Sequence, residues 1–424
     1  MKNILKIIVS SALIFIARFV IRRYKPRIVM ISGSVGKTST KDAVAAVLTS
    51  RFFVRKSDKS FNSEFGVPFT ILGVDNPWRN PFAWISLVKN ALALLLLPNH
   101  YPNMLVLEVG SGKPGDLARI LRIATPKAVV ITRLPEIPVH VETYTSPDAV
   151  REEEFSPALA LNTGSPLIVM SEDSYALNRA IRVSTNVISY GFDDNATVRI
   201  TNADFYKNEG SVAGMQAKVK INNEEGSLII KGSVGSTQIL PAAAAIAVAS
   251  AFNITLADVL KALEDYEPPP GRGRLLKGKN GSIIIDDSYN SSPVAVEEAL
   301  ATLKAFPGAK RRIAILGDML ELGRYSVMEH ERIGEIACMS ADMIATVGIR
   351  ARAFITTSCK AEVLNFDNAN STSLKLSEII REGDVILVKG SQSIRTERIV
   401  EALLANPSDS MKLVRQEREW KRRP

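Results

Sequence analysis

Apolar positions along this chain follow two periods. Short apolar runs, among them the β-branched Arg27–Ser32 (RIVMIS) and the segments Met104–Leu107, Ser282–Ile285 and Val385–Val388, predict buried strands. Between them lie stretches of helical spacing such as Lys41–Leu48. The alternation predicts an α/β chain of two units with largely parallel sheets. Pro268-Pro269-Pro270-Gly271 reads as a linker. The expected divisions are an apolar segment over 1–27, a first α/β domain over 28–268, a Rossmann-like domain without a G-x-G-x-x-G loop over 269–410, and a loosely held basic tail over 411–424. Trp84–Leu97 (WISLVKNALALLLL) is a helix with an unusually apolar surface, either core or apposed to a bilayer, and is read here as core.

Ile4–Ile21 is apolar apart from Lys6, Ser10, Ser11 and Arg18, and Arg22, Arg23, Lys25 and Arg27 follow at once. At 1.5 Å per residue such a helix reaches roughly 27 Å, barely a bilayer core. It is expected to anchor the chain to a membrane, spanning it or lying in the interface. The alternative is a helix packed on the protein. The basic cluster after it places the remaining chain on the cytoplasmic face.

Composition alters this picture at two points. The net charge of the 424 residues is +9. Residues 1–27 carry seven Lys/Arg and no acid, and residues 411–424 carry six against two acids, so the body is slightly acidic. No basic face for nucleic acid is expected, and a membrane surface suits the first cluster better. The two cysteines, Cys338 and Cys359, fit buried thiols in a reducing compartment, and three histidines are too few for a His-rich metal site.

The strand Arg27–Ser32 runs into Gly33-Ser34-Val35-Gly36-Lys37-Thr38-Ser39-Thr40 and then into a helical stretch. Strand, glycine loop, Lys-Thr and helix is the context of a phosphate-binding loop. Its backbone N–H groups cradle phosphates, Lys37 neutralises the β/γ oxygens and Thr38 reaches Mg²⁺. Ile31 stands where the usual first glycine would be.

This shortened loop resembles that of the Mur ligase family, the ATP-dependent ligases that build the peptide of peptidoglycan. The resemblance extends through Ser60–Leu72 (SFNSEFGVPFTIL), Leu105–Asp116 (LVLEVGSGKPGD), Ile285–Pro293 (IDDSYNSSP), Leu316–Gly323 (LGDMLELG) and Asp384–Val400 (DVILVKGSQSIRTERIV). These segments look most like the branch that adds D-alanyl-D-alanine to a UDP-N-acetylmuramoyl-tripeptide. The resemblance implies a central P-loop ATPase domain followed by a Rossmann-like domain. The implied reaction is amide formation through an acyl phosphate, with ATP and Mg²⁺ as cofactors. A muropeptide precursor and a D-amino-acid dipeptide would be the partners of a monomeric enzyme. Phosphoryl transfer of this kind needs positioned cations rather than a nucleophilic side chain.

On the same resemblance, Gly33, Ser34, Val35, Gly36, Lys37, Thr38 and Ser39 bind nucleotide, and Lys37, Glu108, His140 and Arg272 carry the catalysis. Thr38, Glu108 and His140 hold Mg²⁺, while Asp286, Asp287, Tyr289 and Asn290 meet the adenosine. Asn62, Asp318, Glu321, Lys389, Ser391 and Arg395 face the substrates. Bland readings stand beside several of these: Glu108 as an ordinary strand-end carboxylate, His140 as a loop histidine, and Asp286–Asp287 as a helix cap.

The sequence also departs from the family. No counterpart of the uridine-binding N-terminal domain precedes the loop, Arg133 replaces the usual Asn, and Gly235-Ser236-Thr237 replaces a Gly-x-His segment. The lysine that the family carbamylates falls on Glu154, a carboxylate expected to hold the second Mg²⁺; the alternative is a solvated acidic helix face over Glu152–Glu154. These departures leave two other functions open, an amide ligase with a lipid-linked or other acceptor and a membrane-held nucleotide-binding protein that does not ligate.

Overall fold

The fold is described from a computed structural model, which covers residues 2–77, 80–355 and 359–422, with the side chains of residues 2–5 outside the description. The side chains of Lys2 and Ile4 in the apolar segment, and the last two residues of the basic tail, therefore fall outside it.

Two sheets organise the chain. The first contains β1 (Arg27–Ser32), β2 (Val54–Lys56), β3 (Met104–Glu108), β4 (Ala128–Ile131), β5 (Leu167–Met170), β6 (Val187–Gly191), β7 (Val198–Asn208), β8 (Ser211–Ile221) and β9 (Glu224–Lys231). Its order is β2-β3-β1-β4-β5-β6-β7-β8-β9, parallel as far as β7 and antiparallel from β7 to β9. The second contains β10 (Arg274–Lys277), β11 (Ile283–Asp287), β12 (Arg311–Gly317), β13 (Met343–Val347), β14 (Glu362–Phe366) and β15 (Asp384–Lys389), in the order β10-β11-β15-β12-β13-β14. Only β10 runs antiparallel there. β1 is buried from its second residue onward because helices cover both faces of a parallel sheet.

Strand order places the chemistry. β1 lies between β3 and β4, so connections leave it in opposite directions and open a crevice at its carboxyl end. Ile31 on β1 pairs with Glu108 on β3 at that end. In the second sheet β15 lies between β11 and β12, and Asp287 pairs with Lys389 at the equivalent edge.

Several expectations need correction. Helix α1 (Lys2–Tyr24) buries Leu13, Ala17 and Val20, one stripe of its surface, in the same apolar cluster as α3 (Gly66–Leu72). Between α1 and α3, α2 (Lys37–Leu48) begins at Lys37 rather than Lys41. Among the described residues no helix is long and apolar enough to cross a membrane, so the spanning anchor gives way to a helix packed on the protein. Arg23 Nη2 donates to Leu97 O at 3.0 Å and Tyr24 Oη to Leu94 O at 2.8 Å, tying the end of α1 to α4 (Pro81–Leu96). α4 is not core: it buries Leu87, Ala91 and Leu94 and exposes most of its other large apolar residues. The basic tail is docked, with Leu413 in an apolar cluster of the second sheet and Arg415 buried on Glu397 at 2.9 Å. Cys338 and Cys359 form a disulfide rather than two thiols, because a helix end and the approach to β14 bring their Cα atoms to 5.3 Å.

Candidate active site

The loop after β1 is built from backbone constraints. Gly33 has φ +122°, and a Cβ there would meet Thr132 Oγ1 at 2.2 Å, so only glycine fits beside β4. Ser34 N donates to Arg133 O at 2.9 Å, which turns the loop. Gly36, at φ +90°, caps α2 and leaves the first N–H groups of that helix facing the cleft. Lys37 Nζ folds back onto Gly33 O.

Glu108 closes the other side of the crevice. Its Oε1 accepts from Thr38 Oγ1 at 3.2 Å, from Ser60 Oγ and from Asn62 Nδ2 at 3.4 Å. The loop that carries Ser60 and Asn62 is held by the fully buried Lys41, whose Nζ donates to Ser57 O at 2.6 Å and Lys59 O at 3.2 Å. Glu108 Oε2 is buried without a hydrogen-bond partner. An unpartnered carboxylate oxygen beside a threonine hydroxyl is an oxygen donor set suited to Mg²⁺, a cation that keeps waters and phosphate oxygens as its remaining ligands. Among the described residues no three His, Cys, Asp or Glu gather into a closed metal cage.

The second sheet faces this loop across a cleft of about 550 Å³. From the first unit it is lined by Ser34, Val35, Gly36, Lys37, Thr38, Asn62, Glu108 and His140. From the second come Arg272, Tyr289, Asn290, Glu321 and Ser391. The Arg272 guanidinium lies 4.1 Å from the Tyr289 ring centroid, and its Nε is buried without a partner. His140 Nδ1 donates to Glu321 Oε2 at 2.9 Å, and Arg133 pairs with Glu298, so polar contacts join the two units beside the cleft.

Other expected site residues stand elsewhere. Glu154 is neither a solvated helix face nor open to the cleft. It lies on α6 (Pro147–Leu159), the helix after α5 (Asp116–Leu121), and is 2% exposed beneath the loop. Its Oε2 accepts from Ser32 Oγ at 2.9 Å and Gly33 N at 3.1 Å, and its Oε1 accepts from Ser111 N at 3.1 Å. With donors on both oxygens, Glu154 positions the loop instead of ligating a metal. Asp286 is fully buried and accepts from Ser288 Oγ and N, so it shapes the turn rather than meeting ribose. Asp287 is committed to the buried Lys389 at 2.6 Å, which also donates to Asn290 O at 3.0 Å. That pair holds the Tyr289–Asn290 turn and takes Lys389 out of the substrate-facing set.

Asp318 is buried with Oδ1 on Ala351 N at 2.7 Å, and Arg395 is buried with Nε on Glu397 at 2.6 Å. Ser39 is buried within α2, and Gly33 lies behind the loop. Two contributors carried no sequence signal of their own. Ser60 sits inside a segment that resembles the family, and Trp420 lines the cleft from a tail expected to be loose.

An α/β chain with a glycine loop at a switch point, an acid–hydroxyl pair beside it and a second α/β sheet opposite defines a two-unit phosphoryl-transfer enzyme class. Residues 31–249 match the family model described as Mur ligase middle domain, and residues 271–392 the one described as Mur ligase, glutamate ligase domain. The chain belongs to the Mur ligase family. It is 27% identical over 403 residues to the UDP-N-acetylmuramoyl-tripeptide–D-alanyl-D-alanine ligase of Bacillus subtilis, covering 94% of this chain and 80% of that one. The Escherichia coli enzyme of the same name is 26% identical, with 92% and 80% covered. Among solved structures, the MurF ligase of Thermotoga maritima in complex with ADP superposes with a TM-score of 0.77 at 23% identity, covering 93% of this chain and 83% of that one.

Proposed function

We propose that this chain is an ATP-dependent peptide ligase that joins a D-alanyl-D-alanine-like amine to the terminal carboxylate of a muramoyl tripeptide. The observation that carries the reading is the juxtaposition of the Gly33–Thr38 loop and Glu108 with Arg272, Tyr289 and Ser391 across one cleft. The relatives named UDP-N-acetylmuramoyl-tripeptide–D-alanyl-D-alanine ligase align over most of the chain and support the same substrates.

In this reading the N–H groups at the start of α2 bind the β- and γ-phosphates, and Lys37 leaves Gly33 O to neutralise them. Arg272, preorganised on Tyr289, faces the same phosphates from the second unit. Thr38 and Glu108 would hold Mg²⁺, with His140 at the cleft wall; bound there, the cation supplies charge neutralisation for phosphoryl transfer. The acceptor carboxylate attacks the γ-phosphorus and ADP departs. The amine nitrogen then attacks the acyl carbon, loses a proton, and phosphate leaves. Ser391 and Glu321, on the second unit, border the place where the amine must enter.

The test is release of ADP in the presence of UDP-N-acetylmuramoyl-tripeptide and D-alanyl-D-alanine, each omitted in turn. Turnover that requires both supports the reading. Equal turnover without either refutes it.

A further inference from the structure

Two helices outside the cleft present a face that the ligase reaction does not use. α1 and α4 both contribute to the apolar cluster built around α3, whose seven residues are all buried. Their inner stripes, Leu13–Ala17–Val20 and Leu87–Ala91–Leu94, are committed to that cluster. Their outer stripes are not. On α4, Phe82 (79% exposed), Ile85, Val88, Leu92 and Leu96 (71% exposed) stand outward, and Ile85, Val88, Leu92 and Leu96 recur at helical spacing. On α1, Ile8, Phe15 and Phe19 stand outward with the same periodicity, and the two phenyl rings meet edge to face at 4.7 Å. Apolar exposure on this scale, gathered on adjacent helices, is not the scattered kind that any protein surface carries.

The charges around this face select its occupant. Neither helix contains an Asp or Glu, while Lys6, Arg18, Arg22, Arg23 and Lys89 are all on them, and Lys25 follows α1. A second protein surface would need acids placed to match this rim. An anionic bilayer offers a diffuse negative potential and an apolar interior at once, which is the requirement of a helix lying in the interface. Lys and Arg stems can run along the apolar face and carry their heads to the phosphates.

We infer that the outer faces of α1 and α4 form a docking surface for an anionic lipid bilayer, entered by side chains without either helix crossing it. The contact is reversible. It stands independently of which substrates the cleft takes.

The test uses the full chain in co-sedimentation with phosphatidylcholine vesicles, with and without phosphatidylglycerol, at low and high salt. The expected result is binding to the anionic vesicles, weakened by salt and much weaker on phosphatidylcholine alone. Ile85→Ser with Leu92→Ser should lower the vesicle affinity by about ten-fold or more by removing inserted side chains. Arg18→Gln with Arg22→Gln should lower it roughly ten-fold and flatten the salt dependence. All four positions are on the surface, so thermal unfolding should be unchanged and serves as the folding control. A wild-type chain that stays in the supernatant with anionic vesicles at low salt overturns the inference. So does a serine variant that binds as wild type. A wild-type dimer that the serine variant turns into a monomer, without vesicle binding by either, would assign the face to a second copy instead.

Discussion

His140 and Glu321 meet at 2.9 Å across the cleft, and each sits in the left-handed backbone region, at φ +67° and +66°. The hydrogen bond from His140 holds the Glu321 carboxyl below its ordinary range, against an opposing push from burial. The partners come from opposite units, one after β4 and the other after β12, so the pair exists only while the cleft is closed to this degree.

That relationship predicts non-additivity. Half-exposed polar pairs contribute little to stability, but this one reports on closure. His140→Ala and Glu321→Gln should each lower kcat/KM, and the double variant should lose two- to five-fold less than the product of the single losses. Steady-state ligation by the three variants checks this. Fully multiplicative losses would mean that the two side chains act separately.

Glu154 predicts a second pattern. It accepts from Ser32, Gly33 and Ser111 in a buried setting, so Glu154→Gln forces an amide N–H against one of those donors. A buried donor left unsatisfied costs about 1–3 kcal/mol. The variant should unfold at lower temperature and bind ATP more weakly, with no change in the Mg²⁺ concentration needed at saturating ATP. A raised Mg²⁺ requirement with unchanged thermal stability would instead make Glu154 a ligand.

How far the sequence reveals this site depends on what each residue's role requires. The loop from Gly33 to Thr38 and the strand before it were legible, because a buried parallel strand and a phosphate-binding turn each need particular residues in a fixed order. Only spacing points to Glu154, and spacing does not report that α6 packs its carboxylate under the loop. α4 looked like core because it is apolar around most of its circumference, although the structure offers a partner for only one stripe. The tail looked loose because its Lys and Arg content hides the contacts made by Leu413 and Arg415. The Cys338–Cys359 pairing depends on how a helix and a strand meet, which no count of cysteines contains.

The docked tail carries its own prediction. Trp420 lines the cleft, and its ring centroid lies 5.9 Å from the guanidinium carbons of both Arg395 and Arg415. Trp420→Ala should raise KM for the amine substrate several-fold while kcat and thermal stability stay near wild type. Kinetics with the amine and the acceptor varied separately will show it, and an effect confined to kcat would remove Trp420 from substrate binding.

Asp286 predicts a dependence on pH. Burial pushes its carboxyl up to about 6, with the Ser288 hydrogen bonds pulling the other way and the Asp287 charge adding to the rise. An unfolded Asp titrates near ~3.9, so the native state binds the proton more tightly. This contribution to stability is complete below about pH 4 and is lost as pH rises through about 6. Relative to wild type, Asp286→Asn should remove a decline on the order of 1–3 kcal/mol over that interval, while Oδ1 still accepts from Ser288. Urea midpoints of both proteins from pH 4 to 7 provide the comparison, and parallel curves would contradict the burial argument.

Transfer of the γ-phosphoryl group of ATP to a peptide carboxylate in this cleft is measured most directly by following oxygen. Muramoyl tripeptide labelled with ¹⁸O in its terminal carboxylate, incubated with ATP and D-alanyl-D-alanine, should yield phosphate carrying one ¹⁸O per turnover. Lys37→Ala should lower that turnover by on the order of 10²-fold or more. Unlabelled phosphate released at the wild-type rate would mean that water, not the carboxylate, attacks ATP, and would contradict the account.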